Sequence, residues 1–300
     1  MKPHYKANNV AELLGVVPTL LGFRPADSLV AIVLDGKQVA LSARLDFPSD
    51  AACAEAVAIL RGVWPQGASG FIIAYTGQDP WRVLARCERA FPAATVIHVD
   101  GRQWRECCPN GPLGSFSEAN LGVPILRSRD ELRASLDSKP TPEFGVELQR
   151  VAKLSAAERV GLTTALAASH DADSAVGCAQ AAVLAAFADC RAALTESLTC
   201  QSAPEQLEFW RAAVRCAPAE HQLHPLSVLG LVSWLCGNGT LQLLCVERAA
   251  QILDLRMGDL VGAPGHLDPR IPPLVSVLAL INAKAVPPTQ WERLRLKAVA

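Results

Sequence analysis

The apolar positions change period partway along the chain. Through about residue 100, short strand-like runs alternate with helix-spaced ones; beyond about residue 145 only the helical spacing remains. "LVAIVL" (29–34) and "QVALSARLDF" (38–47) flank Asp35–Gly36. An Asp-Gly pair between two such runs predicts a β-hairpin, because the favoured two-residue turn needs positive φ. "AACAEAVAILRGVW" (51–64) predicts an alanine-rich helix and "GFIIAYT" (70–76) a buried strand. "PWRVLARCERAF" (80–91) predicts a helix opened by Pro80, and "ATVIHVD" (94–100) a further strand. Helices alternating with apolar strands imply a mostly parallel sheet with an N-terminal β-hairpin attached.

Residues 101–145 are dense in Gly and Pro and read as loop and linker. One helix is predicted among them, "RDELRASL", with Ser128 and Glu131 spaced as a capping box. After that the strand signals stop. Ser155 with Glu158, and Ser202 with Glu205, predict two more capped helices. "DSAVGCAQAAVLAAFADC" reads as alanine-rich and helical, with Asp171 and Asp173 placed to cap it. "LSVLGLVSWLC" and "TLQLLCVERAAQILD" read as a helical hairpin reversed at "GNG" (237–239). "PPLVSVLALINA" and "TQWERLRLKAV" complete the helical half. The fold class expected is therefore an α/β domain over residues 10–140, followed by an all-α domain over 145–300.

Composition narrows the classes of function. Half of the 300 residues are hydrophobic and 19% are charged, enough apolar side chain for a sizeable core. Twenty-eight basic residues stand against 29 acidic ones. That balance lacks the positive excess that nucleic-acid backbones and anionic membrane surfaces demand. The uncharged run 225–246 is long enough to span a bilayer, but "GNG" breaks it, and "LLGVVPTLLGF" is interrupted by Pro18 and lacks a cleavage site. A cytoplasmic protein is expected. The ten cysteines are scattered without a C-x-x-C pair and read mostly as small buried hydrophobes.

Candidate chemistry gathers at "LGFRPADSLV" (21–30). With Asp35–Gly36 as the turn, Leu34 faces Lys37, Val30 faces Leu41 and Asp27 faces Arg44. A four-residue loop would set Asp27 against Asp46, like against like. Alternation then puts Val30, Ile32, Leu34, Val39 and Leu41 on one face, and Asp27, Leu29, Ala31, Val33, Ala40, Ser42 and Arg44 on the other. Arg24, Asp27, Ser28, Arg44 and Asp46 form either a structural ion-pair cluster or a ligand-binding site for a small anion. Cys107 and Cys108 are adjacent, with Arg102 and Arg105 close in sequence, and are the thiol candidates. In "EHQLHP", Glu220, His221 and His224 have the wrong order for a zinc-protease helix and read as polar residues at a helix entrance. Trp210 and Trp234 lie on apolar helices and read as core. No Walker, dinucleotide or nucleophile-elbow pattern occurs.

"VPTLLGFRPADSLVAIVL" followed by "ARLDFP" resembles the opening of an actinobacterial family known as domain of unknown function 4192. The likeness continues at Trp104 and "CCP" (107–109), at "VPILRSRDELRASL", at "FWRAAVRCAP" and at "LVSWLCGNGTLQLLCVERA". "RLDFP" stands where the family more usually has "R-V-D-L-P". The resemblance implies an intracellular bacterial protein and supplies no activity, catalytic residue or cofactor.

The function expected is that of a non-catalytic binding or scaffold protein of unknown partner, with no catalytic residues, cofactor or metal assigned. The alternatives are an enzyme or anionic-ligand sensor with its site where the sheet meets the helical domain, and a thiol- or metal-responsive regulator.

Overall fold

The structure, a computed structural model, describes residues 6–106, 109–120, 125–261, 268–284 and 286–299. They divide into two compact units. One runs through Leu132 and takes in Gly237–Thr240; the other holds Arg133–Cys236 and the chain from Leu241 onward.

The first unit opens with helix α1 (Val10–Leu21). Asn9 caps it, its Oδ1 accepting from Glu12 N at 2.9 Å, and the helix continues through Pro18 to Gly22. Strands β1 (Ser28–Asp35) and β2 (Gln38–Asp46), helix α2 (Cys53–Val63), β3 (Ser69–Tyr75), α3 (Trp81–Ala90) and β4 (Ala94–Asp100) follow in the order the apolar pattern predicts. Two short strands, β5 (Gln103–Glu106) and β6 (Leu113–Ser115), lie where the Gly/Pro density predicts only loop. Gly114 makes that pairing possible: it sits opposite Trp104, and a Cβ there would stand 2.3 Å from the indole ring. Helix α4 (Arg129–Ala134) begins as read, Ser128 Oγ accepting from Glu131 N at 3.1 Å.

The six strands form one sheet in the order β2-β1-β3-β4-β5-β6. Only β3 and β4 are parallel; every other neighbouring pair is antiparallel. This corrects the expectation of a mostly parallel sheet. The crossover from β2 through α2 to β3 does not join neighbours, because β1 is inserted between them and runs antiparallel to both. Only the β3–α3–β4 crossover produces a parallel pair. Helix–strand alternation therefore gave the elements correctly but not their adjacency. Leu29 and Ala31 of β1, Ile72 and Ala74 of β3 and Val96 of β4 are buried with Leu60 of α2 and Leu84 of α3 in one cluster.

The hairpin register also departs from the sequence reading. Asp35 pairs with Gln38, so the turn residues are Gly36 and Lys37 rather than Asp35 and Gly36. Gly36 takes the positive φ, +59°, that this first turn position demands. A bulge between Val33 and Leu34 then adds one unpaired residue on β2. Beyond it Val33 faces Leu41, Val30 faces Arg44 and Ser28 faces Asp46. Arg44 thus shares a face with Val30 and Ile32, the opposite face from the one predicted.

The second unit is helical. It holds α5 (Pro142–Val151), α6 (Ala156–Ser169), α7 (Ala175–Leu184), α8 (Ala188–Ser197), α9 (Ala203–Cys216), α10 (Leu223–Leu235), α11 (Gly239–Leu253, entering from the first unit), α12 (Pro273–Ala283) and α13 (Trp291–Val299). Helix α7 packs against α5 and α9, α9 against α10, and α10 against α12. Every residue of α10 from Pro225 to Leu235 is buried, which explains its uncharged sequence without a bilayer. Trp210 and Trp234 are core residues, and Trp234 Nε1 donates to Val286 O at 2.8 Å. The turn at "GNG" separates α10 from α11, with Gly237 at φ +73°.

Two helix starts differ in chemistry from the sequence reading. Ser155 and Glu158 make the full capping box on α6. Ser202 caps nothing; it exchanges hydrogen bonds with Thr199, Ser202 Oγ accepting from Thr199 N at 3.0 Å. The long alanine-rich run is broken between Leu184 and Ala188 into α7 and α8, and Ser174, not Asp171 or Asp173, caps α7. Among the described residues no single helix is long and apolar enough to cross a membrane; α7 and α8 together reach that length but are bent by 110°.

Candidate functional site

The sheet topology decides which predicted residues meet. β1 runs antiparallel to its neighbours on both sides, so its first residues lie between the last residues of β2 and β3. Asp27, Ser28, Arg44, Asp46 and Thr76 are gathered there by backbone direction alone.

Ser28 is wholly buried. Its hydroxyl donates to Ala26 O at 2.6 Å and accepts from Arg44 Nε at 2.9 Å. Arg44 NH1 also pairs with Asp46 Oδ1 at 2.5 Å; the Arg44 side chain is 13% exposed and that of Asp46 88%. Ser28, Arg44 and Asp46 thus form one chain of bonds running from the interior to water.

Asp27 does not face Arg44. Its carbonyl accepts from Phe47 N at 2.8 Å, which places it three positions along β2 from Arg44, about 10 Å at strand spacing. Asp27 adopts φ +42°, a left-handed conformation that aspartate tolerates better than most residues. Its carboxylate Oδ1 accepts from Thr76 Oγ1 at 3.2 Å. Thr76 is a node: its Oγ1 also accepts from Gln78 N at 3.1 Å, and its carbonyl lies 2.9 Å from His98 Nε2. A carbonyl only accepts, so His98 carries its proton on Nε2. The imidazole meets the Trp81 ring edge-on at 5.6 Å between centroids.

Arg24 is held elsewhere. It makes a two-pronged contact with Glu118, Nε to Oε1 at 2.7 Å and NH2 to Oε2 at 2.8 Å. That hydrogen bonding, with the attached charge, holds the Glu118 carboxyl below its ordinary value and raises the Arg24 guanidinium above its own. Glu118 is 94 positions away in sequence, so no local pattern could have named it. Thr76 directly follows β3, and no spacing in the sequence marks it as a partner of Asp27.

The chemistry available is limited. The donor facing Ser28 Oγ is a guanidinium, which cannot act as a base, so the hydroxyl is not activated as a nucleophile. Cys107 and Cys108 lie outside the described residues. Of the described cysteines, Cys87, Cys178, Cys190, Cys216 and Cys245 all have thiols raised by burial, Cys87 and Cys216 to about 12 and Cys178 to about 11. At neutral pH these are protonated packing groups.

Fold and site together define an α/β unit with a six-stranded, mostly antiparallel sheet, accompanied by a helical region, with a bonded polar cluster at one end of the sheet. The chain belongs to the family described as Domain of unknown function (DUF4192), whose model matches residues 11–254. No curated protein and no solved structure matches it.

Proposed function

We propose that the chain is a non-catalytic binding or scaffold protein acting in the cytoplasm, built from an α/β domain of about residues 10–140 and an all-α domain of about residues 145–300. The observation that supports this reading is that the predicted site residues are bonded to groups of the same chain. Glu118 occupies Arg24, Ser28 and Asp46 occupy Arg44, and Thr76 occupies Asp27. A binding site for a small anion keeps donors aimed at an open volume; here the donors are turned on groups of the same chain. On this reading the cluster is a clasp that fixes where β1 enters the sheet, and binding falls to other surfaces of the protein.

The test pairs affinity capture with turnover. The purified protein is incubated with a metabolite mixture followed by NMR, and a tagged copy is used to capture partners under native conditions. A reproducible stoichiometric partner and no metabolite consumption are expected. Consumption of a metabolite by the wild type that disappears in both Arg44→Ala and Asp27→Ala, while both variants stay folded, would overturn the proposal.

A further inference from the structure

In the helical unit, the break between α7 and α8, helix α5 and the start of α10 form a pocket of about 320 Å³. That volume is at the small end of the roughly 300–1,000 Å³ range of small-molecule sites. Phe144 and Leu148 of α5 and Phe187 of the break supply apolar wall. The His221 ring lies against Phe144, with centroids 5.2 Å apart and planes tilted by 44°. Offset and edge contacts with such rings favour an aromatic ligand over an aliphatic one of equal size.

The polar members of the lining are Glu220, His221 and His224, and among the described residues no lysine or arginine lines the pocket. Glu220 is exposed, and among the described residues its carboxylate has no cation or hydrogen-bond donor on it. Burial, and after it the charge of Arg191, lowers the His224 imidazole to about 4, so it is neutral at pH 7. Two guanidinium groups stand just outside the lining. Arg159 lies over the Phe187 ring, 4.3 Å from its centroid. Arg191 NH1 donates at 2.7 Å to the carbonyl of Ala185, which adjoins the lining residue Ala186.

This distribution disfavours a charged ligand of either sign. A carboxylate would meet Glu220 with no cation in the lining to hold it, and an ammonium would sit close to Arg159 and Arg191. An uncharged molecule meets neither cost. A carboxylate only accepts hydrogen bonds, so Glu220 calls for a donor.

We infer that this pocket binds a small neutral aromatic molecule with one hydrogen-bond donor, of the indole or phenol class, its ring against Phe144, Leu148 and Phe187 and its N–H or O–H donated to Glu220. The inference goes beyond the partner-binding reading above and concerns a different unit of the chain.

The test is calorimetric titration of the full chain with indole and phenol, each alongside its donor-free methyl derivative, N-methylindole and anisole. Saturable binding of at least one donor is expected, about fivefold tighter than its methyl derivative, the ratio one net hydrogen bond supplies. Tryptamine and indole-3-acetate, which add a positive and a negative charge to the same ring, should both bind more weakly than indole. Leu148→Trp fills the pocket from a partly exposed position and should abolish binding while circular dichroism stays that of the wild type. Glu220→Ala, at an exposed position, should bring each donor and its methyl derivative to equal affinity; should Leu148→Trp unfold, this variant carries the location of the site. No saturable binding of indole or phenol at millimolar concentration, equal affinity for donor and methyl derivative in the wild type, tighter binding of either charged analogue than of indole, undiminished binding in folded Leu148→Trp, or an unchanged donor preference in Glu220→Ala would each overturn the inference.

Discussion

Replacing Arg44 by methionine keeps an aliphatic stem in the sheet and removes the guanidinium. Two interactions go with it, in different surroundings. The pair with Asp46 ends on a carboxylate that is largely in water, and such a pair contributes about 0–1 kcal/mol. The bond to Ser28 ends on a wholly buried residue, and a hydrogen bond to a charged group contributes about 1.5–3 kcal/mol. Relief of the cost of desolvating a mostly buried guanidinium offsets part of both losses. The net cost of Arg44→Met is expected to be about 1–2 kcal/mol, and that of Asp46→Asn about 0.5 kcal/mol or less. The Arg44→Met/Ser28→Ala double-mutant cycle should show a coupling of about 1 kcal/mol, whereas the Arg44→Met/Asp27→Ala cycle should be additive to about 0.3–0.5 kcal/mol. Native-state hydrogen exchange of β1 and β2 peptides is the assay, because the chain has two compact units and a whole-chain midpoint averages over them. An Asp46→Asn cost equal to that of Arg44→Met, or an Arg44–Asp27 coupling larger than the Arg44–Ser28 one, would show that the bond into the interior is not what anchors this strand.

Glu118 is depressed in the folded chain by Arg24. Its stabilisation is therefore complete above the unfolded value near 4.3 and is lost as pH falls through the still lower folded value, so the difference in melting temperature between wild type and Glu118→Gln should be constant near neutrality and shrink below about pH 4.3. Leu60→Ala empties a wholly buried position between α2 and the sheet and should cost about 2–5 kcal/mol in the exchange of β1 and β3 amides. Gly114→Ala sets a methyl into the Trp104 ring and should release the indole to solvent, read as a red shift and increased quenching of tryptophan fluorescence relative to a Leu113→Ala control.

The sheet shows which features of a fold a sequence carries. β1 to β4 and α2 and α3 could be read because each is written in its own residues: alternating or continuous apolar runs, Pro80 at a helix start, Asp35–Gly36 between strands. Which strand lies beside which is a property of the whole chain, and the insertion of β1 between β2 and β3 left no mark within either segment. β5 and β6 were illegible for another reason. They are four and three residues long and lie in a Gly- and Pro-rich stretch, and what makes them strands is the seat Gly114 offers Trp104, a contact between positions ten apart. Where local chemistry was ambiguous the outcome differed from the spacing: Ser174 rather than Asp171 caps α7, and the Ser202 hydroxyl bonds Thr199 instead of capping α9.

The residues at the start of β1 and the end of β2 meet in a register other than the predicted one, and the cause is geometric. Moving the turn by one residue, from Asp35–Gly36 to Gly36–Lys37, shifts the pairing across the hairpin by two positions, and the bulge at Val33/Leu34 shifts it by one more. Three positions is an odd number, so the shift also turns Arg44 to the other face. A charge pattern cannot resolve such a register, because both the predicted and the observed pairing give Arg44 a favourable partner, Asp27 in one case and Ser28 with Asp46 in the other. What separates them is burial. β1 is buried from Ser28 to Val33, so its polar entry residues must be satisfied from within the chain. The observed register achieves this for Ser28, and it frees Asp27 to bind Thr76 at the end of β3. One strand start is thereby tied to the ends of both its neighbours, which the predicted register, spending Asp27 and Arg44 on each other, would have left undone.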